Sequence, residues 1–148
     1  MSEKQGLAFI TGGNRGIGAA TAQALADAGH RVVIGSRSGQ ASEIPDVPSV
    51  AIDVGDAESI ERAITEVEES YGPISILIAN AGITRDSLLM RMEDQDLEET
   101  IATNLVGSIR LARRVLRPMI KARHGRIVFM SSVVGLLGSA GQVNYAAS

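Results

Sequence analysis

The chain has 148 residues, 45% of them apolar and 21% charged, with a formal net charge of −3. That length suits one domain able to bury roughly two thirds of its unfolded surface, and the charge balance leaves no basic excess for nucleic acid. The lack of cysteine excludes disulfides, thiolate metal sites and thiol nucleophiles, and the two histidines, His30 and His124, argue against a metal site.

Leu7–Thr11 is a short apolar run ending in glycines, a first strand. It starts too early to leave room for a basic and an apolar leader region. No apolar run approaches the ~20 residues of a membrane span, so a cytoplasmic protein is the default expectation. From 16 to 28, Ile17, Ala20, Ala24, Leu25 and Ala28 recur at helical spacing, and Gly29 is the stop. Arg31–Ser36 is β-branched and reads as strand two. Residues 38–48, rich in Ser, Gly and Pro, read as a surface loop, and 49–54 as strand three. Asp56 caps a helix with apolar positions Ile60, Ala63, Ile64 and Val67, ended by Gly72-Pro73. Ile74–Ala79 is apolar without alternation, the pattern of a parallel strand covered on both faces. A long helix is expected over 94–123, with Leu97, Ile101, Leu105, Ile109, Ala112, Leu116 and Ile120 as its apolar stripe and Gly125 as its stop. A fifth strand follows over 126–131.

Strands alternating with helices predict right-handed crossovers and an α/β, doubly wound parallel sheet of about five strands. Its last strand would be a bare edge, a hazard for aggregation. Residues 1–148 are therefore expected to be the N-terminal part of a longer single-domain fold, incomplete at the C-terminus.

Thr11-Gly12-Gly13-Asn14-Arg15-Gly16-Ile17-Gly18 joins strand one to helix one. Phosphate oxygens need backbone N–H groups at a helix N-terminus and residues without Cβ for close approach. A P-loop is excluded because Ala19 stands where lysine is required. A purely structural turn is the alternative, and the strand–helix–strand setting favours a dinucleotide. Strand two ends Gly35-Ser36-Arg37 with no acid to bond a ribose 2′-hydroxyl. Arg15 and Arg37 instead suit a 2′-phosphate, which predicts NADPH/NADP+ over NADH. Arg37 also reads as a solvated loop cation. Asp53-Val54 ends strand three, where Asp53 is as readily a turn cap, and Asn80-Ala81-Gly82 ends strand four.

The T-G-x-x-x-G-x-G turn, Asn80-Ala81-Gly82, Thr103-Asn104-Leu105, Ser132 before Val133-Val134-Gly135, and Tyr145 together resemble the short-chain dehydrogenase/reductase family over essentially the whole chain. The resemblance implies a Rossmann-type NADP-binding domain over 1–148 and no metal. Gly12, Asn14, Arg15, Gly16, Ile17, Gly18 and Arg37 would hold the cofactor. Asp53 and Val54 would meet its adenine, and Asn80, Ala81 and Gly82 its ribose. Ala79 stands where family members often have a second Asn. Tyr145 would protonate a substrate carbonyl that Ser132 orients, with Ser131 the competing serine. Asn104 would disturb its helix and bind a relay water. The family's Tyr-x-x-x-Lys motif places its lysine directly after Ser148, and an ammonium there favours an ionised phenol. A protein truly ending at Ser148 is expected to be nearly inactive.

Residues 80–92, 123–128 and 135–147 resemble β-ketoacyl-acyl-carrier-protein reductases of bacterial fatty-acid synthesis more specifically. This implies NADPH-dependent reduction of a β-ketoacyl thioester carried by acyl carrier protein or CoA, and a homotetramer. The alternatives are another short-chain reductase, acting on acetoacetyl-CoA, polyketide, steroid or sugar, and a non-catalytic dinucleotide-binding module. Arg110, Arg113, Arg114, Arg117, Lys121, Arg123 and Arg126 cluster at one end of the long helix, and Glu93, Asp94, Asp96, Glu98 and Glu99 at the other. The helix dipole accounts for most of this layout. Arg123 and Arg126 are the better candidates for docking an acidic carrier.

Overall fold

The computed structural model describes residues 6–40 and 44–148. Five parallel strands form one sheet in the order β3-β2-β1-β4-β5, with β1 Leu7–Thr11, β2 Arg31–Ser36, β3 Ser49–Ala51, β4 Ile74–Ala79 and β5 Arg126–Phe129. The chain direction across the sheet reverses between β1 and β4. In an open α/β sheet that switch point opens a crevice beyond the strand C-termini.

Both faces of the central strand β1 are buried, which is why it shows no alternation. Leu7 and Phe9 join one apolar core with Ile60, Ile64, Leu77, Leu111 and Val115. Ala8 and Ile10 join the other with Ala22, Ile34 and Ile78. Helix α1 (Gly16–Asp27) covers the second face, and α2 (Ala57–Tyr71) covers the first. Asp56 caps α2 as expected, accepting from Glu58 N at 3.0 Å and Ser59 N at 3.2 Å. Gly72 closes it with φ 93°, and Gly29 closes α1 with φ 86°. Of the loop 38–48, residues 41–43 lie outside the described residues.

Four expectations are corrected. Strand three stops at Ala51 rather than at 54. The Asp53 N–H goes to Ser59 Oγ at 2.9 Å, and its own carboxylate accepts Gly55 N at 2.9 Å, so the backbone turns away. Strand five stops at Phe129 rather than at 131 and is an exposed edge.

The inward face of α1 is also different. Ile17, Ala20, Ala24 and Ala28 are exposed, while Gly18 and Ala22 are buried, with Leu25 and Ala26 packed beside them. The helix lies so close to the β1 exit that a Cβ on Gly18 would collide with the Gly12 carbonyl. Only the smallest residues fit there, and Ile17 turns outward.

The long helix is not continuous. It comprises α3 (Asp94–Ile101), a wide π turn (Ala102–Gly107) and α4 (Ser108–Ala122), and it stops at Arg123, whose φ is 51°, before Gly125. The expected stripe faces outward: Leu97, Leu105, Ile109, Leu116 and Ile120 are exposed. Thr100, Gly107, Leu111, Val115 and Met119 form the buried line instead. The helix is apolar on two sides, and periodicity alone does not say which side meets the sheet. Gly107 settles the matter sterically, because a Cβ there would strike the Val54 carbonyl.

Candidate active site

Two adjoining cavities open at the C-terminal ends of β1, β2 and β4. The larger, about 1010 Å³, is lined by all twelve residues read from sequence as cofactor contacts: Gly12, Asn14, Arg15, Gly16, Ile17, Gly18, Arg37, Asp53, Val54, Asn80, Ala81 and Gly82. The smaller, about 480 Å³, is lined by Asn104, Ser132 and Tyr145. Arg15, Ile17, Arg37 and the β4 exit from Asn80 to Ile83 border both.

The glycine turn is built for close approach. Gly12 and Gly16 have φ 65° and 57°, a region costly for residues with a Cβ. A Cβ on Gly16 would meet nothing within 4 Å and would project into open space. Helix α1 starts after Arg15 with no side chain capping it and no acid in its first turn. Its first N–H groups therefore remain available to an anion. At the β2 exit the buried Ser36 Oγ has no hydrogen-bond partner among the described residues, although it borders the larger cavity. Neither Arg15 nor Arg37 has a carboxylate partner among the described residues. Uncapped donors, an orphaned hydroxyl and two unpaired guanidinium groups fit a phosphorylated dinucleotide.

The far wall is pinned by Asn80. Its Nδ2 donates to the carbonyls of Thr11 at 3.0 Å and Gly12 at 3.2 Å. Buried Thr11 returns the contact by accepting from Asn80 N at 3.1 Å and Ala81 N at 3.2 Å. Asp53 caps the turn, one carboxylate oxygen accepting from Gly55 N, and the residue also lines the cavity.

In the smaller cavity, Ser132 Oγ accepts from Val134 N at 3.2 Å, ahead of the short helix α5 (Val134–Leu137). Its own proton remains available to a substrate oxygen. Ser132 is half-buried and Ser131 exposed, and both border the cavity. Tyr145 sits on α6 (Val143–Ala146), and its hydroxyl has no protein partner among the described residues. Asn104 lies within the π turn and clasps the backbone of Ile83: its Oδ1 accepts Ile83 N at 2.8 Å and its Nδ2 donates to Ile83 O at 2.9 Å. The second Nδ2 proton goes to Ser148 Oγ at 3.0 Å. A helix disturbed at Asn104 was expected. The clasp was not, and it leaves neither amide proton free for water.

Sequence reasoning missed Thr11, Ser36 and Asn144. The visible signal at Thr11 and Ser36 was a hydroxyl closing an otherwise apolar strand. Asn144 gave none beyond its place before Tyr145.

Residues 6–148 match the family described as short chain dehydrogenase. The chain belongs to that family. Within it, the chain is 46% identical over 141 residues to the 3-oxoacyl-acyl-carrier-protein reductase MabA of Mycobacterium avium, with 95% of this chain and 54% of the relative covered. It is 45% identical over 140 residues to MabA of Mycobacterium tuberculosis, with 95% and 56% covered. It is 44% identical over 149 residues to the 3-oxoacyl-acyl-carrier-protein reductase FabG of Escherichia coli, with 96% and 61% covered. The chain thus spans between about half and three fifths of the length of these family members. Among the described residues no helix is long and apolar enough to cross a membrane, and no group of three or more His, Cys, Asp or Glu is placed to hold a metal ion.

Proposed function

We propose that this chain carries the NADP-binding crevice and the proton donor of a reductase that converts a β-ketoacyl thioester to the β-hydroxyacyl thioester in fatty-acid biosynthesis. The observation that carries the reading is the shared wall: Arg15, Arg37 and the Asn80–Ala81–Gly82 exit border both the glycine-turn cavity and the cavity of Ser132 and Tyr145. Whatever lies across that wall touches both.

The backbone N–H groups at the start of α1 would hold the pyrophosphate, and Arg15, Arg37 and Ser36 the 2′-phosphate. When bound, the reduced nicotinamide supplies hydride. Ser132 donates a hydrogen bond to the substrate carbonyl oxygen and orients it. Tyr145 gives its proton to that oxygen as the alkoxide develops. Asn104 holds Ile83, and with it the floor between the cavities. Relatives named 3-oxoacyl-acyl-carrier-protein reductase support the substrate class.

Two surfaces extend the reading. Ile109 and Ile120 are 54% and 66% exposed on α4, and burying them between subunits of a homotetramer would remove this apolar stripe from water. Arg123 and Arg126, at the end of α4 and the start of β5, are proposed to meet an acidic carrier protein.

The test is direct. The full-length protein should bind NADPH at least tenfold more tightly than NADH in a fluorescence titration and oxidise it only when an acetoacetyl thioester is present. Equal affinity for the two coenzymes removes the arginine–phosphate reading, and no thioester-dependent oxidation removes the reductase reading.

A further inference from the structure

Among the described residues, the buried polar and charged side chains are Thr11, Ser36, Thr100 and Asn144. Thr11 and Ser36 line or brace the larger cavity. Asn144 and Thr100 lie elsewhere, and each is 0% exposed.

Every polar atom of the Asn144 side chain is engaged. Its Oδ1 accepts the backbone N–H of Tyr145 at 2.9 Å. Its Nδ2 faces the Arg85 carbonyl at 2.9 Å, Thr100 Oγ1 at 3.2 Å and the Asp96 carbonyl at 3.4 Å. Thr100 Oγ1 in turn donates to that Asp96 carbonyl at 2.7 Å. The Arg85 guanidinium reaches Glu99 at 3.5 Å and Asp96 at 3.8 Å, so the same residue is tied to α6 by its backbone carbonyl and to α3 by its side chain. Arg85 also borders both cavities.

Helix α6 has only four residues. A helix of one turn does not hold itself in water, because nucleation fixes several residues for a single hydrogen bond. The position of Tyr145 must come from elsewhere. Asn144 joins its backbone N–H to α3 and to the segment leaving β4. On the other side, the Tyr145 carbonyl accepts from Ser148 Oγ at 3.1 Å, and Ser148 accepts from Asn104. The Tyr145 backbone is thus held between two asparagines, directly by Asn144 and through Ser148 by Asn104.

We propose that Asn144 is a positioning residue for the proton donor: its amide fixes Tyr145 against the wall between the cavities. The inference rests on the reductase reading of Tyr145. The role demands one planar group that accepts on one edge and donates on the other, at the reach of a single methylene. Aspartate keeps the acceptor for Tyr145 N but sets a carboxylate oxygen against two carbonyls. Alanine removes both halves.

The test compares full-length wild type, Asn144→Ala and Asn144→Asp. Titration with NADPH gives affinity and the number of competent sites. Turnover of an acetoacetyl thioester is then expressed per NADPH site, and hydrogen exchange follows the Tyr145 amide. Both variants are expected to bind NADPH within twofold of wild type, to keep the thioester KM within threefold, and to lose about ten- to a hundredfold in kcat per site, as displacement of a reacting group by an ångström does. Exchange at Tyr145 should speed up in both. A purely structural role lowers the number of sites and leaves turnover per site alone. Turnover per site within twofold of wild type in either variant overturns the proposal, as does failure of both variants to give NADPH-binding protein, which assigns Asn144 to fold stability. A wild type inert toward the thioester overturns the reductase reading as well. Active wild type with unaffected variants overturns this inference alone.

Discussion

Asn80 and Thr11 bond each other twice: the Asn80 side-chain amide donates to the Thr11 carbonyl at 3.0 Å, and the Thr11 hydroxyl accepts the Asn80 main-chain N–H at 3.1 Å. The pair locks the C-terminal ends of β1 and β4 across the switch point, where the crevice opens. Asn80→Ala is expected to cost about 1–3 kcal/mol, because it leaves buried carbonyls unpaired. It should also weaken NADPH binding by loosening Gly12. Thermal unfolding with and without NADPH checks both effects, and an unchanged melting point would remove the lock from the account.

The glycines of the turn differ in what they exclude. At Gly18 a Cβ meets the Gly12 backbone, whereas at Gly16 it meets open space. Gly18→Ala is expected to destabilise the protein and abolish coenzyme binding together. Gly16→Ala carries only the backbone strain of its positive φ, about 1–2 kcal/mol, so the protein should fold yet bind NADPH poorly. Circular dichroism beside a coenzyme titration separates the two cases.

Coenzyme choice is expected to reside in the unpaired guanidinium groups. Arg37→Ala should weaken NADPH by roughly tenfold or more, the worth of about 1.5–3 kcal/mol for a hydrogen bond to a charged group, and leave NADH within twofold. Arg15→Ala should do the same, and loss of both should bring the two affinities together.

Arg114 clamps α4 to α2, with Glu61 at 2.8 Å and Glu68 at 3.0 Å. Partial burial disfavours its charge, but the Glu61 hydrogen bond and the Glu68 charge outweigh this and raise its pKa. A raised folded pKa stabilises the protein below the unfolded value and is lost only as pH climbs through the folded one. For arginine that window lies above any ordinary assay. Arg114→Met should therefore cost about 1 kcal/mol at neutral and at mildly alkaline pH alike, and less in high salt. Denaturant melts at two salt concentrations test this.

The outward stripe of α4 should govern assembly. Ile109→Glu combined with Leu116→Glu places charge on exposed apolar positions and is expected to reduce the particle mass in light scattering without lowering helix content. An unchanged mass would place the subunit contacts elsewhere.

Much of this protein was legible residue by residue. Strand and helix order, the Asp56 cap and the Gly29 and Gly72 stops follow from local rules, because turns and caps are written in neighbouring positions, whereas crevice residues such as Asn14, Val54 and Ala81 were expected only through the family resemblance. Which face of α1 and of α4 meets the sheet was not legible, because both helices carry apolar residues on two sides and contacts with strands far along the chain choose between them. The Asn104 clasp on Ile83 and the Asn144 anchor were equally hidden. Each depends on hydrogen bonds between residues more than twenty positions apart, and such partners meet only when the sheet brings the end of β4 beside α3 and α6.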